Sequence, residues 1–204
     1  MTILHAVPKL MSHVVYRTFQ YDQMISWYRE AFGARVTSRN DVLAFLTFDD
    51  ESHRFAIANL GAIEPGSETP PARSLVGVDH IAYRFATVTD LFSTYERLRA
   101  LSITPYWCIH HGNTVSMYYA DPDHNQMEFQ VETLAAQQQA GLSPEAKAQI
   151  NGSIGVEFDP DYWLDRLKAG IPEVELLVRT VHEPVSPIRG TGQRGYRLVG
   201  KAVK

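Results

Sequence analysis

"HVVYRTFQYDQMISWYREAFGARV", His13–Val36, aligns without a gap over "HIAYRFATVTDLFSTYERLRALSI", His80–Ile103. His13 matches His80, Tyr16 matches Tyr83, Arg17 matches Arg84 and Tyr28 matches Tyr95, all at one constant offset. An internal repeat sets the architecture, because each copy is a unit that cannot bury its apolar face alone. Each copy opens on a short alternating run, His-Val-Val-Tyr-Arg-Thr or His-Ile-Ala-Tyr-Arg-Phe, which reads as a strand.

A helix follows each opening strand. In copy one, Asp22 is the expected N-cap, Met24, Ile25, Tyr28, Ala31 and Phe32 recur at helical spacing, and Gly33 stands where a glycine C-cap belongs. In copy two, Thr87 and Asp90 resemble a capping box, with Leu91, Tyr95, Leu98 and Leu101 as the buried stripe. Three strand-like runs come after each helix. They are Ala34–Ser38, Val42–Phe48 and Arg54–Leu60 in copy one, and Pro105–Ile109, Thr114–Tyr119 and Gln126–Glu132 in copy two.

The expected class is therefore α+β. Two βαβββ modules, 11–60 and 78–132, pair into one half-open eight-stranded barrel spanning 11–132. Gly61–Leu75, rich in Pro, Gly and Ser, reads as the connection. A C-terminal helical extension and tail occupies 133–204. In it, "SPEAKAQING" (Ser143–Gly152) and "DPDYWLDRLKAG" (Asp159–Gly170) each carry a cap, a proline at the first helical position and a closing glycine. Beyond Ser186 the chain is Gly- and Arg/Lys-rich, as a mobile or partner-dependent tail would be.

Composition narrows the function classes. Hydrophobic residues make up 45% and charged residues 21% of the 204, an ordinary globular balance with enough chain for a real core. A formal net charge of −4 gives no footprint for nucleic acid. Cys108 is the single cysteine, so no internal disulfide forms, which suits a reducing cytosol. The N-terminus reads as no signal peptide, and no run nears the ~20 apolar residues of a membrane span. The expectation is a cytoplasmic protein without a membrane partner.

Chemistry concentrates at symmetry-related positions. His13 and His80 begin equivalent strands, so pseudo-twofold pairing of the modules brings them towards each other. "HHGNTVSMYYADPDHNQMEF", His110–Phe129, ends with Glu128 between Met127 and Phe129. A carboxylate at a core-type position requires a cation or a strong donor as partner. If the Glu128 strand neighbours the His80 strand, two imidazoles and one carboxylate share a face, the facial triad of non-haem Fe(II) oxygenases. Taken singly, each of the three also suits a structural role. Packing alone does not explain two histidines at equivalent sites.

These residues resemble the vicinal-oxygen-chelate superfamily, and within it the single-domain type I extradiol ring-cleaving dioxygenases. The resemblance covers residues 11–132. Its most specific piece is a signature followed here by His111, Met117, Tyr118, Asp121, Pro122, Asp123 and Glu128, with His124 where the family has Gly or Pro. Glycine often supplies positive φ at such a turn, and histidine tolerates that region better than most residues.

The resemblance implies that His13, His80 and Glu128 bind Fe(II), or Mn(II), which accepts the same ligands. It also implies that His53, in "SHRFAIA" on the last strand of the first module, is the acid/base. His111 and Tyr118 would hydrogen-bond the substrate or its oxygenated form, with His110 the rival to His111. The implied partners are a small aromatic diol and O₂; separately, the extra helices and basic tail of this chain suit self-association into a homo-oligomer. The implied reaction opens a catechol ring beside the diol, as in aromatic-compound degradation.

Rival readings stay within the same superfamily. A glyoxalase-type isomerase takes a fourth ligand from the first module's last strand, but "RFAIANL" has no carboxylate there. An epimerase needs a second carboxylate base, for which Glu51 in the polar turn "DDES" is the nearby candidate. A non-catalytic binding module of this fold would not need His53, His111 and Tyr118 together. Trp27, Trp107, Trp163 and Cys108 read as core or interface residues, and Arg17 and Arg84 as ion-pair partners across the repeat. His5 and His124 have no assigned role in chemistry.

Overall fold

In a computed structural model, residues 10–63, 77–133 and 155–178 are described. The chain divides into two compact units, Met1–Arg73 and Ser74–Lys204. The helix expected over Ser143–Gly152, the tail beyond Ser186 and His5 lie outside the described residues.

The first unit contains β1 (Val14–Thr18), α1 (Tyr21–Phe32), β2 (Arg35–Arg39), β3 (Leu43–Thr47), β4 (Phe55–Asn59) and a short α2 (Leu60–Ile63). Its sheet runs β1-β4-β3-β2, with β1 parallel to β4 and the other pairs antiparallel. Met24, Ile25, Tyr28 and Ala31 are buried, as their helical spacing predicts. Tyr28 and Phe32 both press on Phe55, at ring distances of 4.6 and 4.8 Å. Gly33 closes α1 at φ +61°, the left-handed conformation that favours glycine.

Three expectations for this unit are corrected. Gln20, not Asp22, holds the N-cap position, and its own N–H is bound by Thr18 Oγ1 at 2.7 Å. Asp22 sits in the first turn, where its charge suits the helix dipole, and pairs with Arg39 across the surface. The connection begins later than Gly61, because Leu60–Ile63 turns once as α2. His53 does not lie on the last strand; it stands two residues ahead of β4, in a turn that Asp49 organises by accepting the Glu51 N–H at 3.1 Å.

The second unit repeats the plan with β5 (His80–Arg84), α3 (Val88–Ala100), β6 (Trp107–His110), β7 (Thr114–Ala120) and β8 (Gln126–Glu132). Its sheet runs β5-β8-β7-β6, again with the first strand parallel to the last. Both repeats thus form separate open sheets with the same strand order, the mixed α+β class expected. Thr87 caps α3, its hydroxyl accepting the Asp90 N–H at 3.0 Å and donating to Asp90 Oδ2 at 2.7 Å. Leu91, Tyr95 and Leu98 are buried, whereas Leu101 lies past the helix end and is exposed. Arg84 pairs with Glu132 of its own sheet, not across the repeat.

The alternation of this sheet decides where chemistry can occur. One face carries Cys108, Val115, Met117, Tyr119, Met127, Phe129 and Val131, all buried, with α3 packed beside β8. The opposite face carries Trp107, Ser116, Tyr118, Glu128 and His80.

The described part of the extension joins this second unit. A two-residue strand, β9 (Val156–Glu157), pairs antiparallel with β6 as a fifth strand absent from the sequence-based expectation. Next, α4 (Pro160–Lys168) starts at Asp159, whose side chain accepts the Asp161 N–H at 2.9 Å, and Gly170 follows its end at φ +82°. Trp163 is buried between Phe158 (4.4 Å) and Phe92 of α3 (5.8 Å). A last turn, α5 (Glu173–Leu176), brings Glu173 onto the first N–H groups of α3, Val88 at 3.1 Å and Thr89 at 3.0 Å. That carboxylate meets both unsatisfied donors and the positive end of the helix dipole.

Candidate metal centre and active site

β5 and β8 are parallel neighbours, and Glu128 is level with Ala82. His80, two residues before Ala82, projects to the same face as Glu128. His80 Nε2 lies 3.1 Å from Glu128 Oε2. The other ring nitrogen, Nδ1, lies 2.6 Å from Asp79 Oδ1. Glu128 is 6% exposed, so the carboxylate between Met127 and Phe129 has found the partner it requires.

Electrostatics binds this pair tightly. The hydrogen bond His80 donates to Glu128 is the main cause raising His80 to about 9, ahead of the opposing effect of burial, with Asp79 adding to the rise. Burial works to raise the Glu128 carboxyl, but hydrogen bonds from His80, Ser116 and Tyr118 outweigh it and hold it below the ordinary carboxylate range. Burial, aided by the Glu128 charge, pushes the Tyr118 phenol far up, so it remains a neutral donor.

Around the pair stands an aromatic wall. The Tyr118 ring is 5.3 Å from the His80 ring and 4.9 Å from Trp107. His111 Nε2 lies 3.2 Å from the Tyr118 hydroxyl. His110, its rival from the sequence, is buried on the core side and fully engaged. Its Nδ1 accepts the Gly112 N–H at 3.0 Å and its Nε2 meets the Leu177 carbonyl at 3.1 Å. Of the two, His111 is the one beside Tyr118. His124 adopts φ +62°, so histidine does occupy the left-handed turn that the signature gives to glycine.

In the first unit, His13 and His53 come together, with ring centroids 4.5 Å apart. His53 also meets the edge of Phe45 at 4.7 Å, and its Nδ1 lies 3.1 Å from Ser52 Oγ. Glu51 stays in its polar turn, near Arg54.

The second unit therefore gathers His80 and Glu128, while His13 stands in the first beside His53. Among the described residues, no group of three or more His, Cys, Asp or Glu side chains is gathered as a metal site. The donor chemistry fits a divalent metal nonetheless. An imidazole tied back through Nδ1 to a carboxylate, with Nε2 turned to a buried carboxylate, is the arrangement by which outer residues orient metal-binding histidines. Asp79 is the residue that sequence reasoning missed here. Its signal was its place next to His80, but short Asp-His neighbours are common and only the rotamer identifies the bond.

Residues 10–129 match the family model described as Glyoxalase/Bleomycin resistance protein/Dioxygenase superfamily. The chain is 35% identical over 170 residues to biphenyl-2,3-diol 1,2-dioxygenase 3 of Rhodococcus globerulus, covering 83% of this chain and 87% of that one. It is 37% identical over 167 residues to biphenyl-2,3-diol 1,2-dioxygenase 2 of the same organism, covering 82% and 85%. It is also similar to the crystal structure of lactoylglutathione lyase from Agrobacterium tumefaciens, at 17% identity and a TM-score of 0.48, over 61% of this chain and 94% of that one. With a family model matched across both repeats and two relatives matched over most of their length, this chain belongs to the glyoxalase/bleomycin resistance protein/dioxygenase superfamily.

Proposed function

We propose that the chain is an extradiol dioxygenase that opens a catechol-type aromatic ring next to the diol with O₂, using Fe(II) held by His13, His80 and Glu128. The single observation that carries the reading is the His80–Glu128 pair, 3.1 Å apart and backed by Asp79. The two Rhodococcus globerulus relatives, both biphenyl-2,3-diol 1,2-dioxygenases, supply the substrate class. When bound, Fe(II) acidifies a chelated hydroxyl and offers open positions for a second ligand.

The chain's own groups do the rest. His80 gives up its proton to become a ligand, and Glu128 already lies on the charged side of its titration. His53 is the imidazole base that takes a proton from the diol. Tyr118 donates from its hydroxyl, and His111 fixes the direction of that donation through the 3.2 Å contact. Trp107 and Tyr106 flank Tyr118 and present aromatic faces suited to an apolar ring substituent.

The test is anaerobic Fe(II) reconstitution, then exposure to air with a panel of catechols that includes biphenyl-2,3-diol. A yellow ring-opened product formed with stoichiometric O₂ uptake is the expected outcome. His13→Ala and Glu128→Gln lose iron and turnover together; His53→Phe keeps iron and loses most of the rate. Turnover of a hemithioacetal by a Zn or Ni form, with no O₂ uptake from any catechol, would replace this reading with the isomerase.

A further inference from the structure

The family match ends at residue 129, yet the extension beyond it reaches the reactive face of the second sheet. β9 pairs with the outer edge of β6, and its register sets Glu157 opposite Ile109. Alternation then puts Glu157 on the face that carries Trp107 and Tyr118. Its carboxylate Oε1 accepts the Trp107 Nε1–H at 3.1 Å. The same indole lies 4.9 Å from the Tyr118 ring and 5.9 Å from His111, edge to face in the second case.

We propose that Glu157 is a positioning residue for this site. By fixing the Trp107 indole, it sets the orientation of Tyr118 and His111. An indole has one polar atom, so a single acceptor selects which way the ring lies over Tyr118. A carboxylate suits this because hydrogen bonds to ionised acceptors are the stronger kind.

Two further contacts hold β9 where Glu157 can act. Gly155 passes so close to β6 that a Cβ there would meet the His110 carbonyl oxygen at 2.7 Å, and its φ is +144°. Only glycine permits that approach. Farther on, the Leu177 carbonyl meets His110 Nε2 at 3.1 Å, directly beside His111. The extension thus grips the Trp107–Gly112 segment at both ends, and a chain truncated to the family-matched core would have a looser wall.

The kinetic arm of the test rests on the dioxygenase reading; a spectroscopic arm does not. In the Fe(II)-loaded full chain, Glu157→Leu removes the acceptor and lowers kcat about 10-fold, with iron content unchanged. Glu157→Gln keeps an accepting oxygen and stays within about 2-fold of the original. Trp107→Phe lowers kcat to the same extent, and combining it with Glu157→Leu adds no further loss. In the metal-free chain, the ring-proton NMR signals of His111 and Tyr118 move in Glu157→Leu and return in Glu157→Gln.

Unmoved ring signals in Glu157→Leu, or a Glu157→Gln variant as impaired as Glu157→Leu, overturn the proposal. If no catechol is turned over by any form, the dioxygenase reading fails and the NMR arm alone decides this one. If Glu157→Leu does not fold, Trp107→Phe decides, because unmoved His111 and Tyr118 signals there overturn it equally.

Discussion

His80 and Glu128 are 48 positions apart in the chain and 3.1 Å apart in space. The parallel pairing of β5 with β8 makes the contact, and the same pairing of β1 with β4 recurs in the first unit. The contact raises His80 and lowers Glu128, which favours an imidazolium facing a carboxylate.

That imidazolium predicts a pH dependence. His80 is raised from 6.5 to about 9 in the folded chain, so between those values the folded state binds more protons than the unfolded one. The stabilisation is complete below about 6.5 and is lost as pH rises through about 9. Denaturant midpoints of the metal-free chain should fall across this window, and those of His80→Ala should not. A fall of equal size in His80→Ala would assign the effect to other groups.

Asp79 holds His80 through Nδ1 at 2.6 Å, the nitrogen turned away from Glu128. Asp79→Asn should weaken metal binding about 10-fold, in the range of outer carboxylate partners of ligating histidines. Competition with a chelating dye measures this directly. Unchanged affinity would leave Asp79 as a surface acid.

Tyr118→Phe deletes a hydroxyl that meets both His111 and Glu128. A lost hydrogen bond to a charged group costs about 1.5–3 kcal/mol, so kcat/KM should drop about 10- to 100-fold with iron retained. Steady-state kinetics beside iron analysis separates that result from simple loss of metal.

His124 holds φ +62° in the turn before β8. A left-handed conformation costs a non-glycine residue about 1–2 kcal/mol, whereas glycine adds about 0.4–1 kcal/mol of unfolded-state entropy. The first effect is larger, so His124→Gly should stabilise the chain by up to about 1 kcal/mol. Urea unfolding reads the sign, and a destabilised variant would mean that the interactions His124 already makes outweigh the backbone gain.

Much of this was legible in the linear sequence. The repeat exposed two βαβββ modules because one physical problem, an open sheet with one apolar face, is solved twice with the same spacing. Gln126–Glu132 reads as a strand to the residue because its apolar positions alternate without interruption. His13, His80 and Glu128 stood out by symmetry and by the oddity of Glu128 among core residues, whereas His53, His111 and Tyr118 were singled out by the family resemblance alone. Capping was less legible: Asp22 looked like the N-cap of α1, yet the cap is Gln20, two residues earlier, and the Asp22 side chain is drawn off by Arg39.

By itself, then, the sequence determined the repeated topology and the fold class, since periodicity is a local property. Tertiary structure alone decided that Asp79 orients His80, that His110 belongs to the core while His111 faces Tyr118, and that Glu157 reaches Trp107. Each of those depends on which face a strand register presents and on which edge a later strand joins. Contacts between distant parts of the chain settle both, and local pattern does not encode them.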